Sequence, residues 1–344
     1  MSDHGTRKIT LAIAIVMMAA ACDTPATPPQ QAKLPASVAP ATHGRVETQR
    51  FHSDALGVDK DVVVYLPAAY DSSPPDHRFR VFYYLHGLGG KQTDWTESGH
   101  LDAAADTLGL DAIVVMPDGD DSFYVDSPTA IDYDACLKDG TGLFFARRDR
   151  HGTCVHKNDY ETYITKDLIG WVDKTYRTKP TRDARAIAGL SMGGYGALML
   201  AMRHPDLFSA AASHSGVDAL TYLGPHPYVA GQAKLLDDAA LHQPPGDPLL
   251  AWVGSRFGSD LAFWRDHDPS VLGPKLPAGQ LAIYFDCGTE DDFHLDDEAR
   301  YLHDLLVAAH VDHSWFLGPG RHAFTFWADR VPKSLKFLSD HTKP

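Results

Sequence analysis

The sequence predicts an α/β domain with a mostly parallel central sheet and helices on both of its faces. From about residue 46, extended apolar segments alternate with segments whose apolar residues recur at helical spacing. Such alternation favours crossover connections and therefore parallel strands. Short continuous apolar runs such as "DAIVVMP", residues 111–117, are typical of strands covered on both faces. A sheet of this kind places its functional site at the carboxyl ends of the strands.

Residues 1–21 carry the pattern of an export signal. Arg7 and Lys8 precede "ITLAIAIVMMAAA", an uncharged run at residues 9–21. This run is too short to span a bilayer comfortably and is typical of a signal peptide. It ends in "AAAC", which resembles a bacterial lipoprotein signal whose cysteine, here Cys22, is lipidated. The alternative is ordinary secretion after cleavage. Either way we expect an exported protein, anchored in the cell envelope or secreted.

Residues 22–43 are rich in Pro and Ala and predict a tether, because they offer little apolar surface to bury. We expect a single domain over residues 44–344, which is long enough for a sizeable core. The formal net charge of the 344-residue chain is −14. Such a surface repels phosphate backbones, so we expect no nucleic-acid partner, and contact with a membrane only through the N-terminal lipid.

Seven segments read as strands and four as helices. The helix at 158–176 begins with Asn158 and Glu161, which resemble a capping box and give Glu161 a structural role. The predicted strands are residues 60–67, 80–86, 111–117, 184–190, 208–216, 280–288 and 313–320, and the other predicted helices are 192–204, 295–310 and a final one from about 323.

A lone serine lies where a strand turns into a helix, in "AIAGLSMGGYGAL". Gly189 and Gly193 flank Ser191 in a G-x-S-x-G pattern, which occurs nowhere else in the chain. Glycines allow a tight turn that lifts the hydroxyl clear of the backbone, the context in which this pattern marks a nucleophile. An ordinary small-residue turn with an idle serine is the alternative.

A nucleophilic serine needs a base and an acid that orients the base. His322 lies in "GPGRHAFTFW", directly after the last predicted strand, and is our predicted base. The acid should come from "DCGTEDDF", after the preceding strand. The residues alone leave four carboxylates open there, namely Asp286, Glu290, Asp291 and Asp292.

Backbone N–H groups should stabilise the oxyanion that forms when the serine attacks. One is expected from Met192, the residue after the nucleophile. The other is expected from "YYLHGLGG", where Leu88 is the first choice and Gly89 the second. We expect His86 to shape this loop by a hydrogen bond rather than to act as a second base.

Three cysteines follow Cys22. Cys136 and Cys154 are 18 residues apart in one polar segment, and in an exported protein we predict that they form a disulfide. Cys287 follows an apolar strand, where a buried thiol is expected.

With these motifs together, the chain resembles the putative-esterase family of the α/β-hydrolase superfamily, the group of S-formylglutathione hydrolases, feruloyl esterases and mycolyltransferases. The matching segments span roughly residues 60 to 337 and are "YYLHGLGG" with "TDW", "MPDG" with "FYVDSP", "DYETY" with "DLIGWVDKTY", "AGLSMGGYGAL", "FDCGTEDDF" and "GRHAFTFW".

The resemblance implies Ser191 as nucleophile, His322 as base and Asp291 as acid. It also implies an oxyanion hole formed by the N–H groups of Leu88 and Met192. The chain departs from the family between "DSP" and "DYETY", where residues 129–157 form an insert that contains both predicted disulfide cysteines. We expect this insert to form a substrate wall, with a passive surface excursion as the alternative.

These observations predict a serine esterase that hydrolyses a small-molecule or carbohydrate ester and needs no metal or organic cofactor. An acyltransferase with an alcohol acceptor uses the same acyl-enzyme and is the alternative, and a non-catalytic binding domain is a third. Trp95 is a candidate stacking face for a sugar or aromatic acid, or else a tryptophan buried in loop packing. The sequence predicts neither the substrate nor the oligomeric state.

Overall fold

The computed structural model describes residues 43–144, 149–243 and 248–344. The predicted signal peptide, Cys22 and the tether up to residue 42 therefore lie outside the described residues. In the part of the chain that is described, no helix is long and apolar enough to cross a membrane.

Eight strands form one sheet. Extended, β-branched and aromatic segments build them. The strands are β1 (Arg45–Ser53), β2 (Val58–Leu66), β3 (Arg80–Leu85), β4 (Ala112–Pro117), β5 (Arg185–Leu190), β6 (Ala210–His214), β7 (Ala282–Gly288) and β8 (His313–Gly318). Four of the eight, β3 to β6, are buried along their whole length.

The sheet order is β1-β2-β4-β3-β5-β6-β7-β8. β2 pairs antiparallel with β1 and with β4, and all other neighbours are parallel. The parallel strands end in register, since Leu190 pairs with His214 and Gly288 with Gly318. The loops that follow β3, β4, β5, β7 and β8 therefore meet at one rim.

The helices connect the strands and cover the sheet. They are α1 (Asp94–Glu97), α2 (Leu101–Leu108), α3 (Tyr133–Asp139), α4 (Arg150–Thr153), α5 (Tyr160–Thr162), a π-helical turn (Tyr163–Leu168) that continues into α6 (Ile169–Thr175), α7 (Met192–Arg203), α8 (Asp238–Leu241), α9 (Pro248–Phe257), α10 (Leu261–Asp266), α11 (Pro269–Leu272), α12 (Leu295–Ala308) and α13 (Phe324–Asp340). Short 3₁₀ turns lie at Arg182–Ala184 and Gly273–Lys275.

Two apolar layers sandwich the sheet, because successive side chains of a strand point to opposite faces. On β3, Phe82 and Tyr84 pack with α2 and α13. Val81 and Tyr83 pack on the other face, with α6, α7 and α12. The predicted α/β architecture with helices on both faces is confirmed.

The sequence analysis missed one strand, and its capping box is wrong. Residues 45–53 form an edge strand that the sequence did not single out, because its exposed, mostly polar face hides the apolar pattern. Asn158 and Glu161 do not form a capping box, since the helix begins at Tyr160 after Asp159, with no side-chain cap. The buried Glu161 carboxylate instead accepts from Arg203 Nε and lies 2.6 Å from His204 Nε2.

Candidate active site

Ser191 lies in a sharp turn between β5 and α7. Its backbone has φ 52° and ψ −122°, a conformation that non-glycine residues rarely adopt. The neighbouring glycines are needed for space, since a Cβ at Gly189 would overlap the carbonyl group of Gly193. A Cβ at Gly193 would lie 2.6 Å from the carbonyl oxygen of His86. The turn is thus closed by backbone against backbone, and it presents the hydroxyl at the rim of the sheet.

The Ser191 hydroxyl begins a chain of hydrogen bonds. Its Oγ lies 2.9 Å from Nε2 of His322, whose Nδ1 lies 2.7 Å from Oδ2 of Asp291. Asp291 is buried, and its other oxygen accepts from the backbone N–H of Phe293 at 3.0 Å. An ionised Asp291 accepts the Nδ1 hydrogen, which leaves Nε2 free to accept from the serine hydroxyl. Three side chains from three loops thus form one polar line.

The competing carboxylates have other partners. Asp292 is exposed and binds Arg321, which holds the pKa of that carboxyl below its ordinary value. Asp286 is buried beside His214 and Arg330, at 2.9 Å from each. The Glu290 side chain is exposed, and its backbone N–H donates to Gly320 O at 3.0 Å, which ties the loop after β7 to the loop that carries His322.

Aromatic rings enclose the imidazole of His322. The rings of Phe293 and Trp327 both meet it nearly at right angles, at centroid distances of 4.8 and 4.9 Å. The Trp327 indole donates to the buried hydroxyl of Ser215. Phe293 remains 53% exposed beside the imidazole. The sequence analysis missed both rings, although both lie within five residues of a predicted site residue.

The two backbone N–H groups predicted as oxyanion donors can be compared by the partners they already have. Within the described residues, neither the Leu88 N–H nor the Met192 N–H donates to another group. The N–H of Gly89, the second candidate, already donates to Oδ1 of Asp121 at 2.7 Å. Of the two donors considered on this loop, Leu88 is therefore the one with a free N–H.

A profile of the family described as "Putative esterase" matches residues 53–337. The chain belongs to the putative esterase family. The match contains all the strands from β3 to β8 and every residue of the polar line, so the family resemblance expected from the motifs is confirmed.

Similar proteins carry esterase or acyltransferase names. The chain is 32% identical over 171 residues to an esterase of Mycobacterium tuberculosis, which covers 50% of this chain and 32% of that protein. It therefore spans about a third of the length of that relative. It is 23% identical to an acetyl esterase of Caldicellulosiruptor saccharolyticus, over 84% of this chain and 96% of that enzyme. A solved ferulic acid esterase shares the fold, with a TM-score of 0.62 and 22% identity over 88% of this chain and all of that one.

Trp95 is not a substrate wall in this fold. Its side chain is 0% exposed, and its indole donates to Leu85 O at 3.0 Å beneath the site. It also packs edge-on against Tyr84. The tryptophan was therefore buried in loop packing, the alternative that the sequence left open.

A different tryptophan borders the loops of the site. Trp252 of α9 is half-buried, and its indole donates to the backbone oxygen of Asp121, the residue whose carboxylate holds Gly89. The guanidinium of Arg256 lies 4.2 Å from the indole centroid. No motif marks Trp252, because its contact with Asp121 depends on the tertiary packing of α9.

The insert at 129–157 is linked to the same region. Cys136 and Cys154 form a disulfide, with 5.8 Å between their Cα atoms. The Phe144 ring packs 5.5 Å from that of Trp252. The insert therefore contacts the helix that borders the loop of Asp121. Cys287 is a buried free thiol whose pKa burial raises well above its ordinary value.

Proposed function

We propose that this protein is a serine esterase that hydrolyses carboxylic esters through an acyl-enzyme on Ser191. The observation that carries the proposal is the hydrogen-bonded line from Ser191 through His322 to Asp291 at the carboxyl ends of the strands. Membership of the putative esterase family supports the same reaction class. No step of the reaction requires a metal or an organic cofactor.

The reaction follows from the positions of the donors and acceptors. Ser191 Oγ attacks the ester carbonyl carbon while Nε2 of His322 takes the hydroxyl proton. Asp291 orients the imidazole and stabilises its charged form. The Leu88 and Met192 N–H groups receive the oxyanion. His322 then gives its proton to the leaving alcohol, and water, activated by the same imidazole, releases the acid.

The Ser191→Ala variant tests the nucleophile. Turnover of a p-nitrophenyl ester should fall by about 10⁶, the scale seen when a triad nucleophile is removed. A fluorophosphonate probe should label the wild type and not the variant. Ser314→Ala, which changes an exposed serine on β8, should keep full activity and labelling. Equal activity of the two variants would remove Ser191 from its proposed role.

A matched pair of neighbouring carboxylates tests the acid. Asp291→Asn should lower kcat by about 10⁴, because the amide no longer holds the imidazole in the required tautomer. Asp292→Asn removes only an exposed ion pair with Arg321 and should change kcat little. Steady-state kinetics with one ester compare the two, and the reverse order would assign the acid to Asp292.

Acyl transfer is the second candidate function. The observation that favours it is 32% identity with a diacylglycerol acyltransferase/mycolyltransferase of Mycobacterium leprae, over 63% of this chain and 62% of that protein. A transferase passes the same acyl-enzyme to an alcohol rather than to water. Product analysis with added glycerol or sugar separates the two functions, since transfer products in excess of free acid would favour the transferase.

We propose a small-molecule or carbohydrate ester as the substrate, with the insert at 129–157 and the face of Trp252 beside it. Contacts between the insert and α9 support this wall. A panel of esters graded by acyl length, with acetylated sugars and feruloyl esters included, tests the substrate class. If Trp252→Ala leaves the ranking of the panel unchanged, the wall is elsewhere.

We propose that the protein is exported and lipidated at Cys22. The support is the apolar run at 9–21 after Arg7 and Lys8, together with the Cys136–Cys154 disulfide, since disulfides persist in oxidising compartments. Expression of the full chain in bacteria fed a labelled fatty acid tests the anchor. The label should appear in the membrane fraction and disappear in Cys22→Ser.

A further inference from the structure

The peptide group between Gly87 and Leu88 is fixed at its carbonyl end. Gly87 O accepts from Nδ1–H of His86 at 2.8 Å and from the N–H of Gly90 at 3.0 Å. In a planar trans peptide the C=O and the following N–H point in opposite directions. Two donors on Gly87 O therefore aim the Leu88 N–H. This peptide group lies close to the nucleophile, since a Cβ at Gly87 would be 3.3 Å from Ser191 Cβ.

His86 is itself held on its far side. The side chain is 0% exposed, and the N–H of Gly119 donates to its Nε2 at 2.9 Å. Because Nε2 accepts, the ring carries its hydrogen on Nδ1, as the bond to Gly87 O requires. Asp118 Oδ1 accepts the N–H of Asp120, which fixes the backbone on either side of Gly119. The orientation of His86 thus depends on the segment after β4.

A buried lysine anchors that segment. Lys60 of β2 is 1% exposed, and its ammonium lies 2.7 Å from Asp120 Oδ2 and 3.5 Å from Asp118 Oδ2. Burial alone would lower the pKa of Lys60, but the two carboxylates outweigh it and raise the pKa, so the lysine is charged. An ammonium group has three hydrogens, so Lys60 can donate to one more acceptor besides these two carboxylates.

The third acceptor comes from the insert. Gly152 O accepts from Lys60 Nζ at 2.8 Å. Gly152 lies in α4, two residues before Cys154 of the disulfide. Polar contacts therefore run from the disulfide-closed insert through Lys60 to the carboxylates of Asp118 and Asp120. The backbone between these two residues supplies the Gly119 N–H that binds His86, and His86 binds the Gly87–Leu88 peptide.

We propose that Lys60 is a positioning residue for the oxyanion hole, and that it couples the disulfide-closed insert to the direction of the Leu88 N–H. The inference rests on the proposed esterase function. A purely structural ion pair is the competing explanation for Lys60, since buried pairs often add little net stability and yet cost much when one partner is removed. The two explanations differ in what they predict for the transition state.

The test uses a charge-balanced variant, Lys60→Met with Asp120→Asn, because Lys60→Met alone leaves two buried carboxylates uncompensated. We expect kcat to fall about 10-fold, which is less than the 10²–10³ lost with an entire oxyanion donor. KM should stay within about twofold, since the contact is made in the transition state. The Ki of a trifluoromethyl ketone, which forms a tetrahedral adduct, should rise by the same factor as kcat/KM falls.

A second variant keeps Lys60 and alters only the insert. Cys136→Ser with Cys154→Ser should give a smaller fall in kcat at unchanged KM, because Gly152 O is then held less firmly. If the Lys60→Met/Asp120→Asn variant does not fold, the cysteine variant alone tests the coupling between the insert and the Leu88 N–H. Glu161→Gln, which removes a buried charge elsewhere, is the control for stability loss by itself and should keep wild-type kcat.

Wild-type kcat in the folded Lys60 variant, or in the disulfide variant if the first is unfolded, overturns the inference. A fall in kcat that the inhibitor's Ki does not follow also overturns it. Ser191→Ala measured in parallel keeps the two proposals apart. If that variant loses activity while both insert-side variants keep it, the esterase function stands and only the role of Lys60 is wrong.

Discussion

The two proposed oxyanion donors are attached to backbones that are held in different ways. Met192 follows Ser191 in a turn closed by steric contact between glycines four residues apart. Leu88 lies in a loop whose geometry depends on polar partners at positions 60, 118 and 121, far away in the chain. The Ser191 side of the site is thus fixed by steric contacts between neighbouring residues. The Leu88 side is fixed by polar contacts with residues distant in the sequence.

The difference matters because the two kinds of restraint fail differently. A backbone collision cannot be relieved by a side-chain rotation. The turn at residues 189–193, which we call the elbow, should therefore tolerate no extra atom at its glycines. A hydrogen-bonded loop can relax by fractions of an ångström and lose function by degrees. We therefore expect abrupt effects on the Ser191 side and graded effects on the Leu88 side.

Among changes that keep all three side chains of the hydrogen-bonded line, the largest effect is expected for Gly189→Ala. Its Cβ would overlap the Gly193 carbonyl, so the turn must open and Ser191 must move. Displacement of a reacting group by about 1 Å can cost about 10²-fold in rate, and we expect at least that loss in kcat/KM. The rate of fluorophosphonate labelling measures it independently of the substrate.

The control is a glycine with free space. A Cβ at Gly170 in α6 would meet no atom within 4 Å. Alanine is favoured over glycine in helices by up to about 1 kcal/mol, so Gly170→Ala should keep full activity and unfold at a slightly higher temperature. If Gly189→Ala labels as fast as Gly170→Ala, steric closure does not define the elbow.

A smaller, graded effect is expected at Asp121. Its carboxylate holds the N–H of Gly89 at 2.7 Å, the residue next to Leu88. Asp121→Ala should lower kcat by about 10-fold, and Asp121→Asn, which keeps an acceptor oxygen, should lose less. Kinetics on one ester compare them with Asp312→Ala, which removes an exposed carboxylate of the same charge. Equal losses in the alanine and asparagine variants would mean that charge, not the acceptor, matters.

The sequence predicts these two sides of the site unequally well. The elbow could be predicted from the sequence because the residues that set the steric requirement of Ser191 are five consecutive ones, 189–193. The loops of His322 and Asp291 could also be predicted, because each follows a predicted strand and the two come in the expected order after Ser191. Sequence alone could not choose among the four carboxylates near position 291, since the choice depends on which partners each meets in three dimensions.

The polar partners of the Leu88 loop escaped sequence analysis for a related reason. Lys60 alternates with Val58 and Val62 on the inward face of β2, so the period of the strand could have marked it as buried. No local pattern, however, indicates that its partners follow β4 or that an insert supplies Gly152 O. For the same reason the sequence left open whether Trp95 is buried, and it gave Glu161 a structural role but the wrong partner, since both residues are defined by tertiary contacts.

The smallest effect on turnover is expected for Glu161→Gln, a buried charge that serves the fold and not the site. Glu161 binds Arg203 and His204 at the far end of α7, about 18 Å from Ser191 for a helix of 12 residues. Burial would raise its pKa, but His204, His267 and Arg203 together hold it well below the ordinary value of 4.5. The carboxylate is therefore charged in the folded state at neutral pH.

A carboxyl whose pKa is depressed by folding contributes stability above its unfolded pKa and loses that contribution as the pH falls. Glu161→Gln should thus lower the free energy of unfolding by about 3 kcal/mol at pH 7, the lower end for a broken buried pair, because Arg203 and His204 reach solvent. The difference should shrink below about pH 4.5 in urea denaturation, while kcat at pH 7 stays unchanged. A loss of kcat with an intact fold would show that α7 transmits this charge to Ser191. The Ser191 side of the site would then depend on a distant charge as well as on local steric contact.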